Sequence, residues 1–181
     1  MKIRLAADLQ EDSIVDGNGI RTVIWTQGCS HNCPSCHNPS THSFDGGELV
    51  DVEDVIERIE NLSNQDGITF SGGDPMFQAK ACSIIAKKIH ELGMNVWAYT
   101  GFTFEELLDK GNKEILDFLR NIDVLIDGKF ELSKKSLDIK FRGSTNQRVI
   151  DVPSSLELHK VVEIDIDSKN IKEQKKEVIY I

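Results

Sequence analysis

Three of the four cysteines fall in one short stretch, Cys29, Cys33 and Cys36, with the spacing C-x3-C-x2-C. Thiolates are the preferred ligands of iron–sulfur clusters and of many zinc sites. An odd number of cysteines separated by very short loops is a poor framework for disulfide pairing. The spacing therefore predicts a metal centre or a cluster, and it leaves open which of the two is bound.

The number of ligands distinguishes the candidate centres. A structural zinc site needs a fourth ligand, such as His31, His37 or His42, but we expect His31 and His42 to lie at the surface. An electron-transfer cluster needs a fourth cysteine, and Cys82 lies in a helical pattern where a small buried cysteine is the more usual case. Three cysteine ligands without a fourth favour a four-iron cluster in which one iron is open for substrate.

Alternating strands and helices must position this stretch. Strands are predicted over residues 2–9, 20–27, 67–71, 94–100 and 123–126. Helices are predicted over residues 51–62 and 77–92, with another that begins at the capping box of residues 103–106 and a further one that ends at residue 120. This order predicts an α/β fold with a parallel sheet, whose strand ends place the cysteine loop where such folds bind ligands. A complete barrel needs about 250 residues. We therefore expect a partial open (βα) barrel of five or six mostly parallel strands.

The C-terminal part of the chain has a different pattern. Residues 148–152 are predicted to form a strand that stops near Pro153. Alternation over residues 160–167 predicts another strand, with which residues 178–181 could pair across a polar loop. We expect one domain over residues 1–181, with a core of about 16–152 and a C-terminal strand or hairpin extension over 153–181.

Composition limits the class of protein. Hydrophobic residues make up 39% and charged residues 28% of the 181 residues, which predicts ordinary globular folding. No apolar run reaches the roughly 18 residues of a membrane span, and the first residues do not resemble a signal peptide. We expect a cytoplasmic protein with reduced thiols. A net charge of -9 argues against nucleic acid as a partner.

The cysteine spacing resembles the signature of the radical S-adenosylmethionine enzymes, in which the fourth iron is chelated by the amino and carboxylate groups of the cofactor's methionine. Residues 16–22, 27–29 and 36–39 are similar to segments of the activating enzymes of glycyl radical proteins. Residues 141–148, Phe-Arg-Gly-Ser-Thr-Asn-Gln-Arg, are similar to a segment of the anaerobic ribonucleoside-triphosphate reductase activating proteins. The resemblance implies a radical-SAM type of fold.

The resemblance also implies residues that bind S-adenosylmethionine. Residues 71–75, Ser-Gly-Gly-Asp-Pro, are similar to the family's Gly-Gly-Glu-Pro segment, so Gly72, Gly73 and Asp74 are expected to hold the methionine ammonium group. Asp127 and Lys129, on one face of an extended segment, are expected to reach the ribose hydroxyls and the methionine carboxylate.

Four more residues are expected to complete the cofactor pocket. Thr100 lies at another predicted strand end. Arg142 and Ser144 could bind the cofactor or a partner's loop. Many family members have an aromatic residue before the third cysteine, where this chain has Ser35, so His37 is expected to supply contacts to adenine.

The implied reaction is reductive cleavage of S-adenosylmethionine to a 5′-deoxyadenosyl radical, which abstracts hydrogen from a glycine in the large subunit of the anaerobic reductase. A low-potential donor such as flavodoxin or ferredoxin would supply the electron. Three alternatives stay open: an activating enzyme of the pyruvate formate-lyase type, a short radical enzyme acting on a small molecule such as a deazapurine synthase, and a zinc-stapled binding module without catalysis.

Overall fold

The computed structural model describes residues 1–167, in which eight strands form one mixed sheet. The strands are β1 (Lys2–Leu5), β2 (Gln10–Ser13), β3 (Arg21–Thr26), β4 (Glu48–Asp51), β5 (Gly67–Gly72), β6 (Asn95–Tyr99), β7 (Val124–Asp127) and β8 (Arg148–Asp151). The α-helices are α1 (Val52–Glu60), α2 (Ala79–Glu91), α3 (Phe104–Asp109), α4 (Lys113–Leu119) and α5 (Val152–Leu158). The sheet order is β4-β1-β3-β5-β6-β7-β8, and β2 pairs with β3.

The centre of the sheet is parallel. Strands β3, β5, β6 and β7 run side by side in one direction, and helical connections join each to the next. Thr26 at the end of β3 is level with Gly72 of β5, and Tyr99 at the end of β6 is level with Ile126 of β7. The four carboxyl ends therefore meet along one edge. The predicted α/β class with a parallel sheet is confirmed.

The predicted count of five or six strands is wrong, because residues 1–167 contain eight. The centre of the sheet is parallel as predicted, and the outer pairings are antiparallel. Strands β1 and β2 both pair with β3, β4 pairs with β1, and β8 pairs with β7. Strands β2 and β4 were not predicted because Gln-Glu-Asp-Ser and Glu-Leu-Val-Asp carry little β-branched or aromatic signal. They lie at the outer part of the sheet, where burial does not demand such residues.

Helices cover one face of the sheet. Helix α1 buries Val52, Val55 and Ile59 at helical spacing, and Cys82 of α2 is fully buried in the same core, as predicted. Trp97 and Ile126 alternate with residues of that core and form a smaller cluster on the other face. None of the helices in residues 1–167 has both the length and the apolar character of a membrane span.

The C-terminal predictions need correction. Pro153 does not simply stop β8, because it lies in the first turn of α5, where proline is well tolerated. The Asp151 side chain caps this helix by accepting a hydrogen bond of 2.9 Å from the Ser154 N–H. Residues 160–167 form no strand and make one isolated bridge, from Glu163 to Ile150. The predicted loop and strand beyond residue 167 lie outside the described residues.

Candidate functional site

A cavity of about 410 Å3 opens at the carboxyl ends of the parallel strands. Trp25 of β3, Ser71 of β5 and Tyr99 of β6 line it from three neighbouring strands. Tyr99 follows Ala98, which belongs to the helix-covered core, so alternation places the cavity on the other face of the sheet. The volume is within the range of about 300–1,000 Å3 that small-molecule sites occupy.

Cys29, Cys33 and Cys36 all line this cavity. Their loop leaves the end of β3 and is held there by backbone hydrogen bonds, including one of 2.8 Å from the Gly28 N–H to the Thr41 carbonyl. It then turns tightly, and the Cys36 N–H donates to the Cys33 carbonyl at 3.1 Å. The structure therefore directs all three thiols into one compartment.

The surroundings of Cys29 and Cys33 disfavour the free thiolate. Burial raises the pKa of Cys29 to about 11, and the charges of Asp74, Cys33 and Cys36 act in the same direction. Burial also raises the pKa of Cys33, whereas the nearby Lys129 ammonium opposes that shift. Without a bound cation Cys29 and Cys33 therefore stay protonated at neutral pH. A bound metal centre would stabilise the thiolates instead.

The chemistry of this donor set fits an iron–sulfur cluster. Within residues 1–167, no group of three or more Cys, His, Asp or Glu side chains is arranged closely enough to hold one ion. A four-iron cluster accepts its thiolates on separate irons, so the three sulfurs need not converge on one point. Three soft sulfur ligands in a half-buried loop therefore suit such a cluster.

The two glycines at the end of β5, Gly72 and Gly73, allow the cysteine loop to approach the sheet. A Cβ on Gly73 would lie 2.5 Å from the Gly28 carbonyl oxygen, and Gly72 has a positive φ of 97°. The Asp74 N–H donates to that same carbonyl at 3.0 Å. A side chain at Gly73 would therefore push the cysteine loop away from the strand end, and a Cβ on Gly72 would lie 2.5 Å from the Thr26 carbonyl oxygen of β3.

The prediction that His31 lies at the surface is wrong. Its side chain is 7% exposed, and its Nε2 atom is 2.7 Å from Oδ2 of the buried Asp74. His42, also predicted at the surface, is half-buried and lines the cavity. The cysteine loop therefore turns both histidines inward.

The opposite wall comes from the segment of residues 141–148. Gly143 contacts His37 so closely that a Cβ there would lie 2.8 Å from the imidazole Cε1, and the Phe130 ring centroid is 4.7 Å from that of His37. Gln147 connects this segment to the end of β7, because its amide accepts from the Gly143 N–H at 2.8 Å and donates to the Gly128 carbonyl at 3.0 Å.

Comparison with known proteins adds an independent result. Residues 15–150 match the family model described as a 4Fe-4S single cluster domain. Three similar proteins carry the name anaerobic ribonucleoside-triphosphate reductase-activating protein. The one from Salmonella typhi is 35% identical over 144 residues, covering 75% of this chain and 91% of the relative. The one from Enterobacteria phage T4 is 34% identical over 145 residues (75% and 86%), and that from Escherichia coli K12 is 34% identical over 147 residues (75% and 91%).

The chain belongs to the family of anaerobic ribonucleoside-triphosphate reductase-activating proteins. The family predicted from the cysteine, glycine and arginine segments is therefore confirmed, and the match to a 4Fe-4S domain supports an iron–sulfur cluster. Among solved structures, QueE from Escherichia coli is similar with a TM-score of 0.47 and 14% identity, over 57% of this chain and 54% of that one.

Most of the residues that were predicted to bind the cluster or the cofactor line the cavity. Those that line it are Cys29, Cys33, Cys36, His37, Gly72, Gly73, Thr100 and Arg142. The four predicted residues that lie outside the lining are Asp74, Asp127, Lys129 and Ser144.

Asp127 and Ser144 are buried, and both make hydrogen bonds to other parts of the protein. The Asp127 carboxylate accepts from the Phe104 N–H at 2.8 Å and from Arg148 Nε at 3.0 Å. Gly128 has a φ of 93°, so the segment through Lys129 is not extended and the expected alternation with Asp127 does not hold. The Ser144 hydroxyl accepts from the Glu131 N–H at 3.1 Å, and Lys129 is exposed.

Two features of the site were not predicted from the sequence. His31 was expected at the surface because nothing in its neighbours along the chain indicates a buried carboxylate partner. The second feature is Phe130, whose ring packs beside His37. Its signal in the sequence is an aromatic residue directly after Lys129.

Proposed function

We propose that this chain is a radical S-adenosylmethionine enzyme that installs a glycyl radical on the large subunit of the anaerobic ribonucleoside-triphosphate reductase. The observation that carries the proposal is the cavity that the three cysteines share with Gly72 and Gly73. The names of the relatives, which describe activating proteins of that reductase, support the choice of target.

Cys29, Cys33 and Cys36 would hold a four-iron cluster at one end of the cavity. Gly72, Gly73 and Thr100 would contact the methionine part of the cofactor. His37 and Arg142 would contact the adenosine part from the opposite wall, where the neighbouring Phe130 ring supports the imidazole. Asp127 and Lys129 were also predicted to bind the cofactor. For Asp127 this requires Arg148 to give up part of its ion pair.

The chain itself binds, orients and encloses the reactants. When bound, the reduced cluster would supply the electron that cleaves S-adenosylmethionine to methionine and a 5′-deoxyadenosyl radical, which takes hydrogen from the target glycine. Hydrogen-atom abstraction needs no general base, so the site requires no acid–base pair. Half-buried walls restrict water around the reacting groups.

Several wider features belong to the same proposal. The electron would come from a low-potential carrier such as flavodoxin or ferredoxin, and a cytoplasmic location would keep the thiols reduced. The open sheet would curve as a partial (βα) barrel around the cavity. Residues 1–181 would form one radical-SAM domain.

Anaerobic reconstitution followed by product analysis tests the proposal. The loaded protein should be brown and contain about four irons per chain, as expected for one cluster. With reductant it should convert S-adenosylmethionine to 5′-deoxyadenosine and methionine. A colourless protein that binds one zinc ion and leaves the cofactor intact would contradict the proposal and favour the zinc-stapled binding module.

A further inference from the structure

The Asp74 carboxylate already has donors on both of its oxygens. Oδ1 accepts from the Met76 N–H at 3.0 Å, and the Thr100 hydroxyl lies 3.1 Å from Oδ1 and 2.9 Å from Oδ2. Oδ2 accepts from the Gly101 N–H at 2.9 Å and lies 2.7 Å from His31 Nε2. With only 1% of its surface exposed, Asp74 has little capacity for another cationic partner.

His31 is held in place on several sides. A carboxylate offers only acceptors, so Nε2 must carry a hydrogen and donate it to Asp74. The Phe102 ring meets the imidazole edge-on with centroids 4.5 Å apart, and the Phe77 ring is 5.9 Å away. A Cβ on Gly101 would lie 2.4 Å from the imidazole Cδ2. Glycine at this position therefore leaves the space that the ring occupies.

The hydrogen bond between His31 and Asp74 holds the cysteine loop at its middle. His31 lies between Cys29 and Cys33, whereas Asp74 follows β5 and Gly101 follows β6. The hydrogen bond therefore ties the middle of the cysteine loop to two strand ends. The other backbone bonds near Cys29 hold only the start of the loop, such as that from the Cys29 N–H to the His42 carbonyl at 3.1 Å.

We propose that His31 and Asp74 form a clamp that positions the cysteine loop, and that Asp74 acts through His31 and does not contact the cofactor. This assignment rests on the proposed function for the identity of the cofactor. Hydrogen bonds to a charged group inside a protein are stronger than neutral ones. Both residues are positioning residues. The cofactor then meets the backbone of Gly72 and Gly73 at this strand end, because those residues line the cavity.

The first experiment measures the cysteine loop without cluster or cofactor. Alkylation rates of Cys29, Cys33 and Cys36 are followed by mass spectrometry in the anaerobic apoprotein, with the buried Cys82 as an internal reference. The variants are His31→Ala, His31→Gln, Asp74→Ala and the double alanine variant. His159→Asn, at an exposed histidine in the left-handed region, is the matched control.

The clamp predicts coupled effects. His31→Ala and Asp74→Ala should each speed alkylation roughly tenfold, the change expected from losing a hydrogen bond to a charged group. The double variant should be no faster than Asp74→Ala, because removal of the carboxylate already breaks its bond to His31. His31→Gln keeps a donor and should stay near the rate of the unmodified protein. If the rate increases of the two single variants multiplied in the double variant, or if His31→Ala left the alkylation rate unchanged, the clamp would be overturned.

A second readout separates the clamp from a direct cofactor contact. S-adenosylmethionine binding to the oxidised, reconstituted protein should weaken in both His31→Ala and Asp74→Ala. Weaker binding in the Asp74 variant with unchanged binding in His31→Ala would overturn the clamp. Asp74→Asn replaces Asp74→Ala if circular dichroism shows that the alanine variant does not fold. If the unmodified protein bound no cofactor, the proposed function would fail, while the apoprotein alkylation rates would still decide the clamp.

Discussion

At the residue scale, the four cysteines have two different environments. Cys29, Cys33 and Cys36 are partly exposed in the cavity, whereas Cys82 is fully buried in the core of α2. Burial raises the pKa of Cys82 far above its usual range, so this thiol stays protonated and behaves as a small hydrophobic side chain. The proposed ligand set therefore excludes Cys82.

Substitution by alanine tests this division. Alanine at Cys29, Cys33 or Cys36 should abolish the binding of iron, because each substitution removes one of the three proposed thiolate ligands. Cys82→Ala should retain the full iron content and lower the free energy of unfolding by about 1 kcal/mol, since it only removes a small buried group. Iron analysis and urea denaturation measure both quantities. Loss of iron in Cys82→Ala would show that the ligand set is wrong.

The cluster ligands could be predicted from the sequence, whereas the partner of His31 could not. Ligand type and spacing are local properties, so the cluster ligands could be proposed from the sequence. The partnership of His31 with Asp74 joins residues that are far apart in the chain. It depends on β3 and β5 being neighbours in the sheet, which residue types alone do not specify.

At the element scale, Gly73 controls how closely the cysteine loop approaches the end of β5. Gly73→Ala places a Cβ 2.5 Å from the Gly28 carbonyl, so the loop must shift. We expect a loss of about 1–3 kcal/mol in unfolding free energy, the cost of overpacking, together with reduced iron loading. Iron analysis and urea denaturation are the measurements.

A glycine elsewhere provides the control for Gly73. Gly93 has a φ of 78°, and a Cβ at this position would lie more than 4 Å from every neighbouring atom in the described part of the chain. Gly93→Ala therefore carries only a backbone cost of about 1 kcal/mol. It should leave iron loading unchanged. Equal iron loading in the two variants would contradict the role assigned to Gly73.

Arg148 connects three elements near the cavity. It pairs with the buried Asp127 at the end of β7 and with Glu105 of α3. Arg148→Ala leaves Asp127 in the interior without its cation, and we expect a loss of about 2–3 kcal/mol in unfolding free energy. The surface pair of Arg120 and Asp117 is the control, since Arg120→Ala should cost at most about 0.5 kcal/mol. Urea denaturation that gave equal losses would contradict this role.

The same network predicts a pH dependence. Hydrogen bonding to Arg148 lowers the pKa of Glu105 below its usual 4.5, so folding is favoured by the ionised form. This stabilisation is complete above the unfolded-state pKa and is lost as the pH falls through the lowered value. The unfolding free energies of the unmodified protein and of Glu105→Gln should therefore converge as the pH is lowered from neutrality. A difference that stays constant would contradict the assignment.

The elements themselves were predicted unevenly. The central strands β3, β5 and β6 are buried over most of their length and carry the apolar signal that burial requires. Strands β2 and β4 lack that signal. Helix α5 was missed because Pro153 was interpreted as a stop, although Asp151 before it is a favourable N-cap.

At the scale of the whole molecule, the parallel strands bring distant segments to one edge of the sheet. The cysteine loop, the glycines at the end of β5 and the segment of residues 141–148 meet there. A ligand that contacts all three should stabilise the folded state through linkage. We therefore expect S-adenosylmethionine to raise the melting temperature of the reconstituted protein.

Calorimetry under anaerobic conditions measures this effect. At a cofactor concentration of about 100 times Kd, linkage predicts about 2.7 kcal/mol of stabilisation. Cys36→Ala, which should lack the cluster, should show a much smaller shift. An equal shift in this variant would contradict the view that cluster and cofactor bind together.

The central claim is that this site generates a glycyl radical on the anaerobic ribonucleoside-triphosphate reductase. The most direct measurement is the EPR spectrum of an oxygen-free mixture of reconstituted protein, reductant, S-adenosylmethionine and the reductase. The account predicts a glycyl radical doublet that is absent when the cofactor is omitted or when Cys33→Ala replaces the unmodified protein. A complete mixture that cleaves the cofactor but gives no doublet would contradict it.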